Sequence, residues 1–266
     1  MPAADAPCPE QAFNATALKW HTCAWLLLPV LVFLAGWMHW YAALPLTLLT
    51  AAGLAPRKRK EPQTRDSLPA FPLFTRSSFL ALAAFAALMA LSGWGEWVNQ
   101  HPDHIVRNAC LRELVASPWP VIFPDGNVLI YNTGFWLVPA LAGKLAGLDA
   151  ARMLVVLWGA WGLFLSWLWL CVFSGRRSLL LALLMAAFGS LLNLQCWLGL
   201  NLFRLHYFGT AEQIMCSANA SIPVLLFFIF LASGRMPLYW MPILFAATAF
   251  YSPLAALGGL PLAACL

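Results

Sequence analysis

From Cys23 to Leu54 the chain runs for 32 residues without a charged side chain. As one α-helix this stretch would extend roughly 48 Å, against about 30 Å for the hydrocarbon core of a bilayer. No water-soluble domain of this length hides so much apolar chain, and other uncharged runs follow it. With 62% hydrophobic and 9% charged residues, the chain falls among all-α, polytopic membrane proteins. Pro29, Pro45 and the knot Trp37, His39, Trp40, Tyr41 divide the first run. Aromatic residues favour the membrane interface, so the run is expected to be two short spans in a hairpin, or else one strongly tilted helix.

The formal net charge of +5 comes with its largest cluster, Arg57, Lys58, Arg59 and Lys60, directly after that run. Positive charge beside a span marks the cytoplasmic side, and no interleaved aromatics make it a nucleic-acid surface. Residues 56–76 are therefore expected to be a cytoplasmic linker, and Ser77–Gly95 a span leading outward. The seven cysteines are scattered without a CxxC pair and read as small apolar residues. Residues 1–19 do not form a cleavable signal, because Lys19 comes late and the apolar run behind it is too long.

The whole chain, 1–266, is expected to be a single transmembrane domain of about six to eight membrane segments. An extracytoplasmic polar loop is expected over 96–128 and a second polar loop over 204–221. Met153–Ser174, Ser178–Phe203 and the short Ile222–Gly234 read as spans. Leu129–Leu148 carries Gly134, Pro139 and Gly143, and its path decides the topology. If it crosses fully, Arg176 and Arg177 lie outside; if it dips in and returns, they lie in the cytoplasm and both polar loops share one face. The second arrangement agrees with the charge rule and is preferred. The chain stops at Leu266 directly after an apolar run, which reads as the N-terminal part of something longer.

Chemistry is expected in the first polar interval, which with its continuation holds Glu96, Asp103, Glu113, Asp125 and Asp149, half of the ten acidic residues. Pro102-Asp103 is a helix start, with Asp103 placed to cap the helix Asp103–Ala116. Asp103 and Arg107 stand four apart on one face, as do Asn108 and Arg112. One reading is an N-cap aspartate on an interfacial helix whose arginines meet headgroups. The other is catalytic: arginine neutralises a phosphate leaving group while the carboxylate takes the proton of an acceptor hydroxyl. Arg204 and His206, bordered by Phe203, Tyr207 and Phe208, either anchor to headgroups or bind a lipid phosphate. His101, His104 and His206 with Asp103 or Glu212 could be imagined as a metal site, but the run His101-x-Asp103-His104 is poor ligand geometry for a single helix, so no metal site is predicted.

The run Asp103-His-Ile-Val-Arg107-Asn108, with Leu111, Leu114 and Trp119-Pro120, continues into Tyr131-x-x-Gly134-x-x-x-x-Pro139-Ala140-x-x-Gly143-Lys144. This pattern resembles bacterial multi-spanning proteins of the GT-C glycosyltransferase type. The resemblance implies a sugar transferase of the bacterial inner membrane that uses a polyprenyl-phosphate sugar. Asp103 would be its catalytic base. Arg107, Asn108, Tyr131, Lys144, Arg204 and His206 would line the substrate site. It implies no cofactor; a divalent cation occurs in some such enzymes, but no residue pattern indicates one here. The partners expected are the bilayer and a lipid-linked sugar donor, not nucleic acid. The second polar loop departs from the family in keeping only Glu212 as an acid. The competing classes are a transporter or flippase, against which no span carries a central carboxylate or lysine, and a non-catalytic membrane protein.

Overall fold

The computed structural model describes residues 15–56, 75–98, 100–188 and 209–261. Most of the basic linker (57–74), Asn193 and Gln195, and Arg204 and His206 fall outside these residues. The described chain is helical, with no strand; a single antiparallel bridge joins Ile122 and Val128 in the polar interval. In chain order the helices are α1 (Ala15–Trp37), α2 (Trp40–Leu54), α3 (Arg76–Leu91), α4 (His104–Ala116), α5 (Gly134–Ala146), α6 (Leu148–Ser174), α7 (Leu179–Ala187) and α8 (Thr210–Ala232). A 3₁₀ turn (Leu238–Trp240) leads into α9 (Met241–Tyr251) and α10 (Pro253–Gly258).

Three helices, α1, α6 and α8, are long and apolar enough to cross a membrane. The shorter apolar helices α2, α3 and α5 have 15, 16 and 13 residues. At 1.5 Å per residue they reach only about 20–24 Å, less than a typical hydrocarbon core. The first apolar run does break at the aromatic knot, between Trp37 and Trp40. Trp240 donates its Nε1 proton to the carbonyl of Leu54 (3.0 Å) and packs on Trp20 (5.1 Å between rings). The end of α2 therefore returns to the start of α1, as a hairpin requires.

Two boundaries differ from expectation. Ile222–Gly234 begins inside a longer helix, α8, which starts twelve residues earlier at Thr210 and is kinked at Ser217. The second polar loop is correspondingly helical from Thr210 onward; Glu212 lies in the first turn and its carboxylate accepts from the Gly209 amide (2.9 Å), which starts the helix. Leu129–Leu148 holds a continuous helix through Pro139, joined to α6 only by Gly147, so α5 and α6 pack side by side as a tight antiparallel pair.

Indole and phenol groups satisfy backbone carbonyls inside the bundle, which matters where water is excluded. The Trp25 ring lies between Trp158 (5.1 Å) and Tyr251 (5.3 Å), both stacked on it. Trp25 Nε1 donates to the Trp158 carbonyl (3.0 Å) and Tyr251 Oη to the Trp25 carbonyl (2.7 Å). These contacts tie α1, α6 and α9 together. Gly162 lets α1 and α8 approach α6 closely: a Cβ there would stand 2.7 Å from Trp25 and 2.6 Å from Ile222.

The bundle has two distinct ends. At one, Arg177 beyond α6 bonds the Ser78 hydroxyl in α3's first turn, and Arg76 and Arg176 lie beside them in sequence. At the other, the turn after α3 meets the first turn of α6, α4 and the N-terminal part of α8. Asp103, Arg107 and Asn108 lie at this second end.

Candidate functional site

The site is built on the turn Gly93–Gln100 that follows α3. Gly93, Gly95 and Glu96 all have positive φ, of 92°, 94° and 66°. Gly95 is needed twice over, since a Cβ would also stand 3.1 Å from Val156. Glu96 has a side chain and still occupies the left-handed region, a strained position that its surroundings must hold. Its Oε2 accepts from Arg112 Nη2 of α4 (2.6 Å) and Arg152 Nη2 of α6 (2.5 Å), and Arg152 Nη1 also donates to Asp149 (2.8 Å). The Glu96 side chain is only 14% exposed. Trp94 Nε1 donates to the Ile214 carbonyl of α8 (2.8 Å), and Gln100 Nε2 donates to the Gly93 carbonyl (2.6 Å). One short turn thus fastens α4, α6 and α8 together.

α4 starts at His104, and Asp103 does not cap it. The backbone of Asp103 is already helical (φ −62°, ψ −21°), and its side chain makes no capping bond. The amides of His104 and Ile105 instead donate to the carbonyls of His101 (2.9 Å) and Pro102 (3.1 Å), so the first turn is satisfied from behind. The carboxylate is left free to face Arg107 Nη2 at 3.7 Å and His101 Nδ1 at 3.5 Å. It is 53% exposed.

The four other acids of this interval are engaged. Glu96 holds two guanidiniums, Glu113 accepts from Ser117 Oγ (3.3 Å), and Asp149 accepts from Arg152. Asp125 accepts from the Asn127 amide (3.1 Å) and side chain (2.7 Å), bonds that hold its carboxyl below the ordinary value. Among the described residues, the Asp103 carboxylate accepts no hydrogen bond.

Arg107 is buried, at 7% exposure. Its Nη2 donates to Ser217 Oγ of α8 (3.4 Å), and its guanidinium lies 5.7 Å over the Trp94 ring. Its Nε and Nη1 are buried with no hydrogen-bond partner among the described residues. His104, fully buried, bonds the Met215 carbonyl of α8 through Nε2 (2.9 Å) and meets Trp94 edge-on at 4.8 Å. The opposite face of α4 exposes Ile105 and Val106. The helix is therefore half docked into the bundle rather than lying freely on a surface.

The remaining expected site residues divide. Asn108 Nδ2 donates to Gln100 Oε1 (2.8 Å), which makes it a fastener of the turn. Tyr131 is part-exposed and packs on Trp136 (5.5 Å), which in turn lies 6.4 Å from Trp94, so an aromatic chain links it to Arg107. Lys144 sits elsewhere. Its Nζ donates to the carbonyls of Ser117 (2.5 Å) and Val115 (3.5 Å) and lies over the Trp119 ring (5.0 Å). It closes the C-terminus of α4, about 18 Å along the helix from Asp103. Sequence reasoning did not find Arg152, Ser217 or the docking role of Trp94; their partners are 56, 110 and 120 residues away, and no local spacing signals such pairings.

Among the described residues no three of His, Cys, Asp and Glu come together as a metal set. Comparison of the chain with protein-family models, with curated proteins and with solved structures found no match. The likeness to GT-C glycosyltransferases therefore rests on sequence pattern alone, chiefly that of Asp103–Lys144.

Proposed function

We propose that this chain is a multi-pass inner-membrane glycosyltransferase of the GT-C type, acting on a polyprenyl-phosphate sugar at the extracytoplasmic face. The observation that carries the reading is the pairing of a free carboxylate with an under-partnered buried guanidinium: Asp103 accepts no hydrogen bond among the described residues, and Arg107 beside it has Nε and Nη1 unpaired. In the reaction, the acceptor hydroxyl gives its proton to Asp103 as its oxygen bonds to the anomeric carbon. The bond from that carbon to the phosphate oxygen breaks, and the polyprenyl phosphate leaves with the electron pair. The charge of the Arg107 guanidinium, 3.7 Å from the Asp103 carboxylate, offsets the charge gained by the phosphate.

The bundle geometry supports this placement. Arg76, Arg176 and Arg177 gather at the end away from Asp103, so the positive-inside rule puts them in the cytoplasm and Asp103 outside. α1, α6 and α8 are long and apolar enough to span; the proposal of about six to eight segments has the shorter apolar helices entering part-way or tilted. Ile105 and Val106 on the open face of α4 then meet the bilayer interface, bringing the site to the depth of a lipid phosphate.

The test is transfer by the purified chain in proteoliposomes supplied with polyprenyl-phosphate sugars. Wild type is expected to transfer, and Asp103→Asn to lose roughly 10²–10⁴-fold in rate. Equal transfer by both removes Asp103 as the base. Transfer by neither turns the reading to a transporter or a non-catalytic membrane protein.

A further inference from the structure

α8 is not a uniform helix. Ser217 has non-helical angles (φ −154°, ψ 43°), and three successive carbonyls ahead of it accept side-chain donors. Gln213 accepts from Ser221 Oγ (3.5 Å), Ile214 from Trp94 Nε1 (2.8 Å) and Met215 from His104 Nε2 (2.9 Å). A helix break turns carbonyls out of their own ladder and leaves them for other donors. His104 fills one of these positions from the first turn of α4, fully buried. Because a carbonyl only accepts, Nε2 must carry the proton, and the neutral ring then leaves Nδ1 bare. Nδ1 is indeed buried without a partner among the described residues.

The neighbours of His104 in the chain are the proposed catalytic pair. Asp103 precedes it, and Arg107 follows one turn later and reaches Ser217 at the same break. We infer that His104 is the positioning residue of this site: its Nε2–H bond to Met215 docks the first turn of α4 onto the break in α8, and so sets Asp103 and Arg107 against Ser217. The docking itself does not depend on the transferase reading; only its consequence for catalysis rests on that reading.

Cys110, one turn beyond Arg107 on the docked face of α4 and 4% exposed, reports the contact. Labelling of Cys110 by a pyridyl disulfide in the otherwise native chain, read by mass spectrometry in nanodiscs, tests it without an activity assay. Cys171, buried in α6 beside the Arg177 end, is the internal control for global unfolding. His104→Ala is expected to speed Cys110 labelling roughly tenfold, the size expected when a buried partner is left unpaired, while Cys171 stays protected. His104→Gln, whose amide nitrogen reaches the position of Nε2, is expected to restore protection. His104→Asn, whose amide reaches only the position of Nδ1, is expected to behave as alanine does. Protection that is equal in Gln and Asn, unchanged in Ala, or lost at Cys171 in all three variants overturns the proposal. Where wild type shows transfer, His104→Gln is expected to keep it and His104→Ala to lower it. Absence of transfer in wild type with the labelling pattern intact removes the transferase reading and leaves the docking role standing.

Discussion

Two groups of arginines meet acids at the same end of this bundle, and they are built in opposite ways. Glu96 takes two guanidiniums on one oxygen, at 2.6 and 2.5 Å, from α4 and α6. Arg107 has a carboxylate only at 3.7 Å, one hydroxyl at 3.4 Å, and two guanidinium nitrogens, Nε and Nη1, without partners among the described residues. The Glu96 cluster is tied to two helices by short bonds through Oε2, while Glu96 Oε1 and Arg152 Nε are buried without a partner among the described residues. The Arg107 group leaves donors facing inward and a carboxylate facing out. Short bonds that join the turn to α4 and α6 suit assembly, whereas the long Asp103–Arg107 pair, with its exposed carboxylate, holds little of the fold together.

The sharpest way to break this contrast is to remove one acid from each group. Asp103→Asn is expected to cost the transfer reaction its two to four orders of magnitude while moving stability by no more than about 1 kcal/mol, because the pair is long and half exposed. Glu96→Ala is expected to lower stability by about 3 kcal/mol, since Arg112 loses its acid, Arg152 keeps only the exposed Asp149, and the positive-φ turn loses the bonds that hold it. Thermal unfolding in detergent measures both. A larger stability loss from Asp103→Asn than from Glu96→Ala would reverse the assignment of the two groups.

A smaller effect concerns pH. Burial above all holds the His104 pKa below its ordinary value of 6.5, with its bond to Met215 opposing and the charges of Arg107 and His101 adding to the depression. Asp103 pulls weakly the other way. The folded chain thus binds this proton less readily than the unfolded chain. The contribution of neutral His104 is intact above pH 6.5 and is lost as pH falls below that value, levelling off once the folded-state pKa is passed. The difference in unfolding temperature between wild type and His104→Gln, followed from pH 8 to 5, isolates this group from the carboxylates. A constant difference across that range would count against a neutral buried ring.

The smallest effect is expected at Lys144. It closes the end of α4 from an exposed position, so Lys144→Met is expected to cost about 0.5–1 kcal/mol and to leave transfer unchanged. A loss of transfer with stability intact would return Lys144 to the substrate site.

Much of the architecture was legible from residue patterns. The uncharged runs announced apolar helices, the aromatic knot placed the break between α1 and α2, and Pro102-Asp103 marked the start of α4 within one residue. The shared face of Asp103 and Arg107 followed from helical spacing. The lengths of helices were less visible. Thr210–Ser221 looks polar yet is helical because Glu212 supports its first turn and Trp94, His104 and Arg107 from elsewhere satisfy its polar break.

What the sequence by itself determined, then, is an apolar helical chain with Asp103 and Arg107 on one face of a helix, because hydropathy and helical periodicity are local properties. Which acids are occupied and which is free was decided only in three dimensions. Glu96 found Arg152 across 56 residues, Arg107 found Ser217 across 110, and His104 found the Met215 carbonyl across 111. Such pairings arise from the packing of α4, α6 and α8 around one strained turn, and no spacing along the chain encodes them.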